Sequence, residues 1–414
     1  MRLLGIVICQ LLVLTSSMLM AQSKADLHDL EKAGELFLNG QYSDALYYLE
    51  RIPQNSKIRN KSYRLSSLCH ANMGNYKEAL SYSQLALKVD SSKESKLLIA
   101  ENLIRCNEFE KAAATLKNPS LQYAYKTKKN ILDSALIWKQ NQTISIQNHP
   151  ANSSSSDISA IEYQNKLLFS SNKEGIFIKR KNQTDGEPFY NFITSTHTGN
   201  TSLFSEKINS GEHDFAPSLT ENEDTLYFTR RKSEVLNGKA YYYFKLYCSE
   251  KHGKNWTPAY QFILNDSSFS YAYPFLDETN KIFYFSSDMP GGYGGWDIYI
   301  CIQQDSLWSE PINLGPTINT DKNEIYPCVK NGTLFFSSNG HFSLGGFDLF
   351  KTEFLKGKWS TPENLKIPIN SGADDVAISF SRKSNSAWFV SNRIGGKGHE
   401  DIYEIKNTEP LFLK

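Results

Sequence analysis

The acidic residues Asp214, Asp277, Glu324 and the pair Asp374 and Asp375 are the side chains in this sequence best suited to chemistry. Cleavage of a glycosidic bond needs two carboxylates facing one bond, one as proton donor and one as base or nucleophile. All these acids fall near the starts or ends of strand-like runs, but nothing in their spacing singles out a donor and its partner. A second set, Asp297, Asp348 and Asp401, follows glycine-rich turns at intervals of 51 and 53 residues. A carboxylate that recurs with a repeat reads as a turn residue accepting backbone N–H groups, because catalysis needs it only once. The competing reading is a ring of carboxylates at one end of a channel, holding a cation or a sugar.

Other chemistry is thinner. Gly340-His341-Phe342-Ser343-Leu344-Gly345 is one residue too long for a nucleophile elbow and lies between two strand-like runs. The eight histidines form no HExxH and no pair at metal-ligand spacing, and His213 and His399 beside acids read as solvated ion pairs. Gly291-Gly292-Tyr293-Gly294-Gly295 precedes a strand, so it offers no helix N-terminus to a phosphate. Of six cysteines, Cys9 lies in the N-terminal apolar run. Cys69, Cys106, Cys248, Cys301 and Cys328 have no close spacing, which suits small buried hydrophobes with room for one bridge. No cofactor and no metal is expected.

The elements that must position these residues repeat. Phe215-Ala216-Pro217, Tyr273-Pro274-Phe275 and Tyr326-Pro327-Cys328 each open a unit. A strand ending in hydroxyls follows, as in Ile282–Ser287 and Leu334–Ser338, then a glycine hairpin and an Asp-hydrophobic-Tyr or Phe strand. Trp256, Trp308 and Trp359 recur at 52 and 51 residues, each before a proline that opens an outermost strand, and are expected to pack. Four short strands per unit at a period near 50 residues predict propeller blades. The count is five, with six the alternative. The first blade runs from about 158 to 213 with Leu203–Ile208 as its last strand, and the fifth lacks a strand that Thr143–Ile146 is placed to supply.

Before the blades, apolar residues follow helical spacing from Asp26 to about Gln140. Gly40 and Gly74, Tyr42 and Tyr76, and Ala45 and Ala79 are each 34 residues apart, and Asn107, Phe109 and Ala112 form a weaker third copy. Gly or Asn takes a left-handed turn between helices, the aromatic packs, and alanine allows close approach. This pattern resembles the tetratricopeptide repeat. Stacked pairs of this kind line a concave face with their first helices, which makes Glu35, Leu38, Asn39, Ser67, His70 and Asn72 the candidate partner-binding residues.

Residues 1–21 carry Arg2, an apolar run from Leu3 to Leu14 and a small residue at Ala21, the pattern of a removed leader. The run is short of the about 20 apolar residues that span a bilayer, so the mature chain is expected to carry no transmembrane segment. The 414 residues hold 45 basic and 44 acidic side chains, a net charge of +1, which argues against bulk electrostatic binding of nucleic acid. Aromatic residues reach 13%, which favours β structure.

The hydroxyl-ended strand, glycine hairpin and Asp-led strand resemble TolB-type, WD40-like propeller repeats of exported bacterial proteins. The order of leader, tetratricopeptide-like repeats and propeller resembles the periplasmic OmpA-family subunit that anchors type IX secretion machinery to peptidoglycan. That family continues into an OmpA-like domain, whereas this sequence ends at Lys414, so peptidoglycan binding is not expected here. The whole reading is an α+β multidomain chain: leader 1–21, helical repeats 22–140, a linker 141–157, a propeller 158–408 and a tail 409–414. Its expected role is a non-enzymatic scaffold in the periplasm or at the outer membrane, binding envelope or secretion-system proteins. The alternative is a glycan-binding or glycan-cleaving propeller, which requires aromatic platforms and two carboxylates converging in an open channel mouth.

Overall fold

The computed structural model describes residues 24–140, 144–173, 188–196, 198–236, 239–262, 269–305 and 307–412, without the side chains of 233–240. Residues 1–21, where the sequence pattern predicts a leader, lie outside these residues. The chain divides into two compact units, Met1–Asn130 and Ile131–Lys414. The division falls inside the last helix, ten residues before the boundary expected at 140.

The first unit is built of helix hairpins: α1 (24–38) with α2 (Tyr42–Arg51), α3 (Arg59–Asn72) with α4 (Tyr76–Val89), and α5 (Lys93–Arg105) with α6 (Phe109–Leu116). A 3₁₀ turn at Pro119–Leu121 leads into α7 (Gln122–Gln140). Each hairpin turns on a left-handed residue: Gly40 and Gly74 at φ 75° and Asn107 at φ 60°. The N–H after each left-handed residue reaches back to the carbonyl of Leu36, His70 or Leu103, which caps the first helix of its pair. Ala45, Ala79 and Ala112 are fully buried, so the periodic alanines mark helix contacts. Tyr76 is buried, but Tyr42 is half-buried against Phe37.

The second unit is a five-bladed β-propeller. Blade 1 is β2 (Asp157–Tyr163), β3 (Lys166–Ser171), β4 (Asn191–Ser195) and β5 (Thr201–Leu203). Blade 2 is β6 (Asp214–Leu219), β7 (Thr225–Leu236), β8 (Lys239–His252) and β10 (Tyr260–Gln261). Blades 3 and 4 repeat this plan. Their inner three strands are β11 (Tyr271–Asp277), β12 (Ile282–Ser287) and β13 (Asp297–Gln304), then β16 (Glu324–Lys330), β17 (Thr333–Ser338) and β18 (Asp348–Leu355). Their outermost strands are Ile312–Asn313 and Glu363–Asn364. Blade 5 is β21 (Asp375–Phe380), β22 (Ala387–Ser391), β23 (Asp401–Ile405) and β1 (Ile146–Asn148). The innermost strands β2, β6, β11, β16 and β21 touch in a ring around the axis. Between blades lie fully buried Phe169, Phe192, Phe228, Phe283, Phe335 and Phe389.

Several sequence expectations shift here. The closing strand is Ile146–Asn148, antiparallel to β23, and Thr143 lies outside the described residues. Blade 1 ends on Thr201–Leu203; Ile208 is instead a buried residue of the following turn. Residues 149–157 are no loose linker, because Asn152 and Ser156 are buried and Asn152 bonds both main-chain groups of Ile402. The tail is also docked: Leu411 is buried, its carbonyl accepts from Lys351, and Phe412 packs on Phe335. Trp256 is buried against Tyr163 and Phe204, Trp308 packs on Phe262 and Phe283, and Trp359 on Phe354.

Candidate functional site

The acids offered for catalysis are held by their own turns. In the run Ile-Asn-Ser/Thr-x-x-x-Asp/Glu, the Ser or Thr donates its N–H and its hydroxyl to the carboxylate four residues on. Ser210 does so to Asp214 at 3.1 and 3.2 Å, Thr320 to Glu324 at 2.7 and 2.8 Å, and Ser371 to Asp375 at 2.6 and 2.8 Å. The asparagine of each run bonds both main-chain groups of a third-strand residue: Asn209 with Phe192, Asn319 with Ile298, and Asn370 with Leu349. Arg230 and Arg393 close on Asp214 and Asp375 at 2.6 and 2.5 Å. Burial still pushes Asp214 up to about 6. Asp374 accepts from the Phe347 N–H and from Asn392, and Asp277 from the N–H and side chain of Asn280. These five acids are therefore scaffold groups, occupied by partners within the chain. The Ile-Asn-Ser/Thr run at 318–320 and 369–371 was the signal for this role in the sequence.

The repeat aspartates hold the glycine hairpins. Asp297 accepts from Tyr293 and Gly294 N–H, Asp348 from Leu344 and Gly345, and Asp401 from Lys397 and Gly398. Asn313, Asn364 and Asn148 on the outermost strands complete them. No group of three His, Cys, Asp or Glu suited to a metal ion occurs among the described residues. The five cysteines from Cys69 to Cys328 are free thiols.

The helical candidates do not share one environment. Leu38 is 84% exposed, Glu35 pairs with Lys32, and Asn39 and Asn72 are exposed. His70 stacks on Tyr82 with centroids 5.1 Å apart. Ser67 must be removed from the set: it is fully buried, donating to the Ala79 carbonyl and accepting from Asn102. No helix of the described residues is long and apolar enough to cross a membrane.

What remains is the channel itself. Each innermost strand carries a β-bulge with a left-handed residue: Ser159, Ala216, Tyr273, Tyr326 and Ala377, at φ 53–58°. These residues form a collar halfway along the axis. Tyr273 and Tyr326, on neighbouring innermost strands, meet with centroids 4.0 Å apart and ring planes tilted by 41°, and the Tyr326 hydroxyl lies 3.1 Å from Ser159 Oγ. Burial raises both phenols, Tyr273 to about 12.

Below this collar, toward the loops after the innermost strands, opens a cavity of about 690 Å³. Its wall includes Phe275, Phe380, Cys328 and Lys330, and its rim Glu162, Glu221, Glu278 and Arg382. The rim is tied across blades. Glu162 Oε2 accepts from Ser381 Oγ and Arg382 N–H at 2.9 and 2.8 Å. The Arg382 guanidinium spans to the carbonyls of Leu219, Thr220 and Glu221, and the Glu221 N–H donates to Glu278 Oε1. Neither Glu162 nor Arg382 stood out in the sequence, because the contacts joining them run between residues about 160 and 220 positions apart.

No protein-family model matches the sequence, and no curated protein matches it. Solved structures similar to it include a thermostable family-43 glycoside hydrolase at 13% identity, covering 62% of this chain and 91% of that one, with a TM-score of 0.40. A family-43 β-xylosidase/α-arabinofuranosidase from a compost microbial metagenome is 11% identical, covering 66% and 99%, at 0.39. A protein assigned as TolB from Agrobacterium tumefaciens is 11% identical, covering 58% and 70%, at 0.31. The non-enzymatic envelope scaffold expected from the sequence is corrected at this point. The channel is open and lined by acids and aromatics, where a scaffold needs only a packed one. At these TM-scores the likeness assigns no residue a role.

Proposed function

We propose that the propeller recognises a glycan, taking an oligosaccharide end into the channel cavity. The observation that carries this is the cavity's size and lining: about 690 Å³, with Phe275 and Phe380 beside Glu162, Glu278, Lys330 and Arg382. Sugars present apolar C–H faces that suit aromatic rings, and hydroxyls that suit carboxylate and cationic partners. Among the described residues, Glu162 is engaged through Oε2 and Glu278 through Oε1, so each keeps a second oxygen for a ligand hydroxyl. The reading includes an exported location, periplasmic or outer-membrane associated. The leader pattern of residues 1–21 supports that location, as does the repeat order resembling a periplasmic OmpA-family subunit.

Calorimetric titration with a panel of neutral oligosaccharides tests it. Glu162→Gln, Glu278→Gln and Phe275→Leu should each weaken the best ligand about tenfold, roughly the loss of one charged hydrogen bond or one ring contact. Release of reducing ends that falls in both glutamine variants adds hydrolysis to binding. The proposal fails if no oligosaccharide binds, or if all three variants bind as the parent does.

A further inference from the structure

The other end of the channel carries a feature that the cavity does not use. The residue just before the third strand of blades 1, 3, 4 and 5 is Tyr190, Trp296, Phe347 or Glu400, and Phe244, inside β8, holds the matching place in blade 2. Register places all five at one level, because Asn191, Lys245, Asp297, Asp348 and Asp401 pair with Ser171, Arg230, Ser287, Ser338 and Ser391. Four of the five accept, through their carbonyls, the first N–H of the next innermost strand: Tyr190 from Asp214, Trp296 from Glu324, Phe347 from Asp375 and Glu400 from Asp157. They therefore sit at the blade seams around the axis. Trp296 lies 5.8 Å from Phe244 and 5.9 Å from Tyr273, which places its ring over the tyrosine collar.

All five are half-buried. Four are aromatic and the fifth is a carboxylate. Glu400 Oε2 is shielded from solvent and has no hydrogen-bond partner among the described residues. A buried carboxylate oxygen without a donor is costly, and aromatic rings at its level attract cations. We infer that this end of the channel is a cation site, taking a ligand that presents an ammonium group to Glu400 and to the faces of Trp296, Phe244, Tyr190 and Phe347. Burial, with Asp374 and Asp401 nearby, raises Glu400 above the usual carboxylate range, against Ser156 and His399. An ammonium ion supplies the missing partner and holds the carboxylate ionised. The inference is independent of the glycan reading, which uses the opposite mouth.

The test is calorimetric titration of the full chain with choline at constant ionic strength, and with 3,3-dimethylbutanol as its uncharged isostere. Choline should bind saturably and the alcohol should not. Glu400→Gln, which keeps shape and the carbonyl bond to Asp157, should weaken choline about tenfold, the size of a desolvated cation–π or charge contact. Trp296→Leu should weaken it as well, which keeps the test intact if the first variant folds poorly. Glu162→Gln, at the other mouth, should leave choline binding unchanged. Displacement of choline by glucosamine points to an amino sugar, and displacement by Nα-acetyl-lysine amide to a peptide amine; either supports the site. Equal binding of the alcohol, or unchanged choline affinity in Glu400→Gln and Trp296→Leu, overturns it.

Discussion

Asp348 shows how an acid suited to chemistry becomes part of the frame. It is buried, and Leu344 N–H and Asn364 Nδ2 both donate to its Oδ2 at 2.7 Å. Burial, with Asp375 nearby, still pushes it up to about 8. An unfolded aspartate titrates near 4. Between those values the folded state keeps a proton that the unfolded chain has released. Stability from this group is therefore full below about pH 4 and is lost as pH rises through about 8. Melting temperature should fall across that window in the parent and fall less steeply in Asp348→Asn, measured by scanning calorimetry. Identical slopes would place the titration elsewhere.

At the scale of the element, the glycine hairpins decide how blades meet. A Cβ on Gly345 would lie 2.1 Å from the Ala373 carbonyl oxygen, and one on Gly294 2.1 Å from that of Lys322. Next to each, Gly346 and Gly295 donate N–H to those same carbonyls. The glycines are thus required by contact with the next blade's entry loop. Gly345→Ala should cost about 3 kcal/mol, an overpacking penalty against rigid backbone. Gly34→Ala meets nothing within 4 Å in its helix and should add up to about 1 kcal/mol of helix stability. Denaturant titration separates the two, and a neutral Gly345→Ala would mean the hairpin yields.

At the scale of the molecule, the ring is closed by a strand from before the first blade. Ile146–Asn148 covers the edge of β23, and Asn148 bonds Asp401 at 3.3 Å. Deleting Ile146–Asn148 should uncover that edge and free the following residues, including Asn152 from Ile402. Light scattering should then show association, with a lowered melting temperature. A deletion variant that stays monomeric and melts like the parent would show that the ring holds without it.

The sequence by itself determined the units and their periods. Left-handed Gly40 and Gly74, buried Ala45 and Ala79, and the aspartates that open the third strands of blades 3 to 5 were legible because local turn chemistry repeats with the chain. Local chemistry also explains the errors of boundary. Thr201–Leu203 and Ile146–Asn148 are three-residue strands, too short for a period to define them. The tertiary structure alone decided which acids were free. Asp214, Glu324 and Asp375 looked available until their Ser or Thr partners and Arg230 and Arg393 folded against them. Glu162 and Glu400 looked ordinary until blade 5 met blade 1. Both sites lie on the propeller axis, where one residue from each of several blades converges, and convergence across 160 to 250 residues leaves no local trace in the sequence.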